Sequence, residues 1–102
     1  MTALTSSADV VVERGERWVK QLASHLGRKA EVEQREADVL LTLAGGSCAL
    51  SSDAEAVHLR AQAPDAESLG RVEEVVGGHF QRFAAAEGVV VTWTRGGATP
   101  GG

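Results

Sequence analysis

Two histidines occupy matching places on two segments with helical patterning. His25 lies in RWVKQLASHLGRK, residues 17–29, and His79 in EEVVGGHFQRF, residues 73–83. His25 follows Leu22 by three residues and Trp18 by seven. His79 follows Val76 by three and precedes Phe83 by four. At helical periodicity both fall on the edge of an apolar stripe. If the two helices lie side by side, the rings face each other across the groove. Neutral imidazoles placed so can bind a borderline metal or hold an anionic ligand. The competing reading is structural: two half-buried histidines, each bonded to a backbone carbonyl or a carboxylate. Two histidines alone do not complete a metal site, which usually takes three or four ligands.

A basic edge runs beside His25. Arg14, Arg17, Gln21 and Arg28 fall within about 60° of one another on a helical wheel. Such a row can receive a carboxylate, a phosphate, a catecholate or an acidic partner. It can equally be a solvated helix edge paired with Glu16, Glu31 or Glu33. Arg82, three residues after His79, joins the candidate ligand contacts, although pairing with glutamates of its own helix competes. Cys48 has no acidic or basic residue within four positions, so it reads as a small buried strand residue rather than a nucleophile. Trp18 and Trp93 read as core, with a pocket lining beside Phe80 and Phe83 as the other role. No GxSxG, HExxH, P-loop or CxxC string is present. Glu73 and Glu74 are adjacent on a helix and point apart, so they cannot act as a catalytic pair.

The elements that position these residues follow from periodicity. Ala8–Val12 predicts a strand, and a helix follows from about Arg14 to Gly27, with Trp18, Val19, Leu22 and Leu26 on one face. Gly27 suits a left-handed cap. A short strand at Ala30–Gln34, a polar turn at 33–38, a strand at Val39–Leu43, a turn at Gly45-Gly46 and a hairpin partner at Cys48–Ser51 come next. Val57–Ala63 alternates apolar residues with His58, Arg60 and Gln62, so one face is buried and the other wet. Asp65 is the expected N-cap of a helix over about Ala66–Ala86, striped by Leu69, Val72, Val76, Phe80 and Phe83. Gly77-Gly78 in its middle predicts a bend or a close approach. Val89–Arg95 predicts the last strand. The order is β-α-β-β-β-β-α-β: an α+β fold, an antiparallel sheet of five to six strands with two helices on one face. Residues 1–7 are expected to be a flexible N-terminus, 8–95 a single domain and 96–102 a disordered tail.

At 102 residues the chain holds one core without staples, and its one cysteine forbids an internal disulfide. A net charge of −4 disfavours nucleic acid as a partner. The N-terminus lacks a signal-like apolar run and no stretch reaches membrane-spanning length, so a cytoplasmic protein with no membrane partner is expected.

The strings WVKQLASHLGRK, LTLAGGSCAL, APDAESLGRVEEVV, HFQRF and VTWTR closely resemble the bacterial domain-of-unknown-function family 2218, over about Ala8–Arg95. The resemblance implies a small standalone domain without an agreed activity, in a loosely iron- and siderophore-related setting. It also implies a cysteine two positions before the first-helix histidine, where this chain has Ala23. Where the family carries a capping hydroxyl residue this chain has Val12, so Glu13 or water should cap the helix, at a cost of about 1 kcal/mol.

Three functional expectations follow. The first is a non-catalytic accessory protein binding a small anionic or metal-linked ligand in a helix–sheet groove, through His25, His79, Arg14, Arg17, Arg28 and Arg82, the cofactor being unknown. The second is an interaction module or homodimer formed through the open sheet face. The third, an enzyme of unknown class, needs two titratable groups within hydrogen-bond reach in one pocket.

Overall fold

The computed structural model describes residues 4–28, 30–36 and 38–96. Its elements are β1 (Leu4–Val11), α1 (Gly15–Leu26), β2 (Glu31–Gln34), β3 (Val39–Leu43), β4 (Gly46–Ser52), β5 (Ala56–Ala63), α2 (Ala66–Phe83), a 3-10 turn (Ala85–Glu87) and β6 (Thr94–Gly96). The expected order of two helices and six strands is therefore present. The strands form one sheet in the order β2-β3-β4-β5-β1-β6, and every neighbouring pair is antiparallel. β1 enters at the interior of the sheet and α1 carries the chain across to the far edge, where β2 begins.

Alternation along the strands decides which face the helices cover. On β5, Val57, Leu59, Ala61 and Ala63 are buried, while Arg60 and Gln62 are exposed and His58 is half-buried. Leu41 of β3 and Cys48 and Leu50 of β4 continue the inner face. Leu22 and Leu26 of α1 and Leu69, Val72, Val76 and Phe80 of α2 close over it, all essentially inaccessible. Burying a side chain of this size contributes about 1.5–3 kcal/mol, so this stripe against this sheet face is the main source of stability.

Local details differ from the sequence-based expectations. β1 begins at Leu4 rather than Ala8, because Leu4–Ser7 pair with Arg60–Ala63 of β5. The hairpin between β3 and β4 turns at Ala44-Gly45, not Gly45-Gly46. Both residues have positive φ, 51° and 86°, as a two-residue primed turn demands, and Gly46 pairs with Leu43. Helix α1 is capped by neither Val12, Glu13 nor a left-handed Gly27. Val12 is buried and its N–H donates to the Glu55 carbonyl. Arg14 is the N-cap, at φ 58° and ψ 43°, with no side-chain cap hydrogen bond, and Gly27 is right-handed at φ −59°.

Asp65 does cap α2, its carboxylate accepting the Ser68 N–H at 2.7 Å. α2 ends at Phe83, and Gly88 at φ 70° ends the 3-10 turn beyond it. Gly77 is a point of close approach: a Cβ there would stand 2.8 Å from Trp93 Nε1, whereas at Gly78 it would meet nothing within 4 Å. The last strand is only Thr94–Gly96, pairing with Thr5–Ser7. The preceding residues lie outside the ladder: Val89, Val91 and Trp93 pack against the core instead, and the Val91 N–H donates to Gln81 Oε1 at 2.8 Å. The expected tail is described only at Gly96; residues 97–102, like 1–3, lie outside the described residues.

Candidate functional site

The start of α1 forms one wall of a cleft of about 530 Å³. Glu13, Arg14, Arg17, Trp18 and Gln21 line it, with Ala54 from the β4–β5 turn and Glu87 from the 3-10 turn after α2. Arg14 and Arg17 are exposed, and Trp18 is half-buried beside Phe80, ring centroids 6.1 Å apart. Among the described residues, the ion pairs join Arg35 to Asp38, Arg60 and His58 to Asp9, His58 to Asp53, Arg71 to Glu67 and Arg95 to Glu73. None of them engages Arg14 or Arg17. The uncapped first turn of α1 adds the partial positive charge of the helix N-terminus at the same end. Glu13 and Glu87 oppose it and restrict which anions fit.

Arg14 is held in the left-handed region, which for a residue with a side chain costs roughly 1–2 kcal/mol. A strained, uncapped arginine at a cleft wall is the kind of outlier that points to a site.

The expected meeting of the two histidines is realised. The His25 and His79 ring centroids are 5.4 Å apart, and the Phe83 ring lies nearly perpendicular to His25 at 4.6 Å between centroids. His79 Nδ1 donates to the Val75 carbonyl at 2.6 Å. His25 is exposed and lies one turn along α1 from Gln21. The pair is therefore continuous with the cleft along the helix, though not part of its lining.

Two candidates separate from this group. Arg28 shares the wheel angle of Arg17, but eleven residues of helical rise are about 16 Å. It instead lines a groove with Lys20, Ser24, Val32 and Gln34, between the end of α1 and β2–β3. Arg82 is exposed on α2 and lines none of these clefts, and the ion pair within α2 is Arg71–Glu67. Cys48 is fully buried, and burial pushes its thiol up to about 12, which removes the thiolate needed for nucleophilic chemistry. Trp93 is partly buried over Gly77.

One cluster escaped the sequence reading. On the open sheet face, His58 Nδ1 meets Asp9 Oδ1 at 2.7 Å and His58 Nε2 meets Asp53 Oδ2 at 2.8 Å. Arg60 Nη1 donates to the same Asp9 oxygen at 3.2 Å. Asp53 is held in turn by the amides of Glu55 and Ala56 on its Oδ1. An imidazole with a carboxylate at each nitrogen satisfies both contacts only as the imidazolium, donating twice. The Asp53 and Asp9 bonds accordingly raise the His58 pKa, and the His58 bond lowers both carboxylates. Asp9 and His58 are directly opposed in the β1–β5 register. Only that register brings them together, so no local string announces the cluster.

The sequence profile of a family described as "Uncharacterized protein conserved in bacteria (DUF2218)" matches residues 7–94. The chain belongs to this family. The NMR structure of PA4090 from Pseudomonas aeruginosa is similar to this member of it, with a TM-score of 0.74 and 30% identity, covering 89% of this chain and 95% of that one. No curated protein matches the chain. Among the described residues no helix is long and apolar enough to cross a membrane.

Proposed function

We propose that this member of the family is a non-catalytic binding protein that takes a small carboxylate, phosphate or catecholate at the α1 cleft. The observation that carries this reading is Arg14. It adopts a left-handed conformation at an uncapped helix start and lines the same cleft as Arg17 and Trp18. Two guanidiniums supply planar donor forks for a carboxylate or phosphate, and the half-buried Trp18 ring offers a face for a planar ligand. Among the described residues the lining holds no Ser, Thr, Cys, Lys or His side chain, only the carboxylates Glu13 and Glu87 beside the two arginines, which favours binding over catalysis.

The open sheet face gives less support to an apolar homodimer. Its central residues are Thr5, Ser7, Asp9, His58, Arg60, Gln62, Ser47, Ala49 and Ser51, polar apart from Ala49, with Leu40 of β3 opposite Ala49. The exposed large hydrophobic residues among those described, Val11, Val32 and Val90, sit on three separate segments.

Calorimetric titration with salicylate, 2,3-dihydroxybenzoate and inorganic phosphate tests the reading. One molecule of at least one probe per chain is expected. Arg17→Ala should weaken it at least tenfold, while Arg82→Ala leaves it unchanged. Equal affinity in the Arg17 variant, or no binding of any probe, contradicts it.

A further inference from the structure

We propose that His25 and His79 form a two-imidazole site for a divalent transition-metal ion of the zinc or copper class, the remaining coordination positions being filled by water or by donor atoms of another molecule. This does not depend on anion binding in the cleft.

The first support is distance. A zinc–imidazole bond is about 2.0–2.1 Å, so an ion bound in a ring plane stands about 3.2 Å from the ring centroid. Two rings with centroids 5.4 Å apart can then share one ion at an angle of about 115°, close to tetrahedral. His25 is exposed, which leaves its ring room to turn toward a shared ion.

The second support is the hydrogen bond behind His79. A carbonyl only accepts, so Nδ1 must carry the proton in the contact to Val75. In the neutral ring the lone pair is then on Nε2. A backbone carbonyl behind one nitrogen is the usual outer partner of a metal-binding histidine, fixing both tautomer and ring orientation.

Ligand count sets what kind of site this can be. Among the described residues no group of three or more His, Cys, Asp or Glu side chains is placed to hold a metal, so the protein supplies two donors and the other positions fall to water or another molecule. A two-ligand site leaves positions open, which suits a loosely held or ligand-bridged ion and not a structural one. Imidazole donors select borderline ions over magnesium or calcium.

The test is calorimetric titration of the metal-free protein with Zn²⁺ and Cu²⁺, with the histidine ring NMR signals followed for the diamagnetic Zn²⁺. One ion per chain is expected, with the His25 and His79 signals moving and those of His58 still. His25→Ala and His79→Gln should each lose at least tenfold in affinity, while Arg17→Ala and His58→Gln retain it. His25 is exposed, so its variant keeps the fold, and circular dichroism checks this for both. No binding by the unaltered protein, binding retained when both histidines are replaced, or loss on replacing His58 would each overturn the site. Anion binding surviving in the His25 variant leaves the cleft reading intact whichever way the metal result falls.

Discussion

At the scale of single residues, Arg14 and His58 carry the most information. Arg14→Gly removes the left-handed strain and one cation together. The variant should gain about 0.5–1 kcal/mol in urea unfolding while losing affinity for anionic probes. A purely structural arginine would show the first effect without the second. His58 has a raised pKa when folded, chiefly through its bond to Asp53. Its contribution is therefore complete below the ordinary histidine value of about 6.5 and is lost as pH rises through the higher folded value. Asp9 and Asp53 are lowered, mainly by His58, so their share is present above the ordinary carboxylate range and fades as pH falls through the folded values. The cluster thus stabilises most between about pH 4 and 6.5. Denaturant midpoints should decline from pH 6 to pH 9 in the wild type, and His58→Gln should flatten that decline. An unchanged slope in the variant would remove the cluster from the account. Neither residue was legible as such. Arg14 read as one member of a basic row because its backbone conformation leaves no mark on composition. Asp9 and His58 are 49 residues apart in the chain and meet only through strand register.

At the scale of elements, α2 separates two glycines that look alike in sequence. Gly77→Ala places a methyl 2.8 Å from Trp93 Nε1 and 3.3 Å from Val91 Cγ1. Overpacking costs roughly 1–3 kcal/mol and the helix-propensity gain returns about 1, so a net loss of about 1 kcal/mol is expected. Gly78→Ala meets open space and should stabilise by up to about 1 kcal/mol. Thermal unfolding of the pair checks both signs. At the start of the same helix, Asp65→Ala removes the cap on the Ser68 amide and should cost about 1 kcal/mol. Both helices were readable because each has one apolar stripe at a 3.6-residue period, and Val57–Ala63 because its alternation is clean. The segment VVVTWTR misled for the opposite reason. Its β-rich composition predicts a strand, yet Val89, Val91 and Trp93 are drawn onto the core, and only Thr94–Gly96 reach the ladder. Packing outweighed propensity there. Arg28 failed differently: a helical wheel projects away the axis, and distance along the axis is what takes it out of the cleft.

At the scale of the whole molecule, one core joins both helices to one face of the sheet, and it decides what the chain cannot do. Cys48 lies in that core with its thiol pushed up to about 12 by burial. A thiol reagent at pH 8 should leave it unmodified in the native protein and label it fully in denaturant. Rapid native labelling would mean that the sheet opens near β4. The same packing brings the 3-10 turn after α2 and the β4–β5 turn up to the start of α1, so Glu87 and Ala54 close a cleft whose other residues all lie on one stretch of chain. The helix side of that cleft was visible in the sequence as Arg14, Arg17 and Gln21. Its other walls come from residues more than thirty positions away and needed the fold to place them.

The most direct measurement of the central claim is a two-dimensional amide NMR titration of the intact protein with salicylate. Shifts should be confined to residues 13–21, Ala54 and Glu87, and should vanish in Arg17→Ala. Shifts centred on the open sheet around His58, or none at saturating probe, would contradict the assignment of the α1 cleft as the binding site.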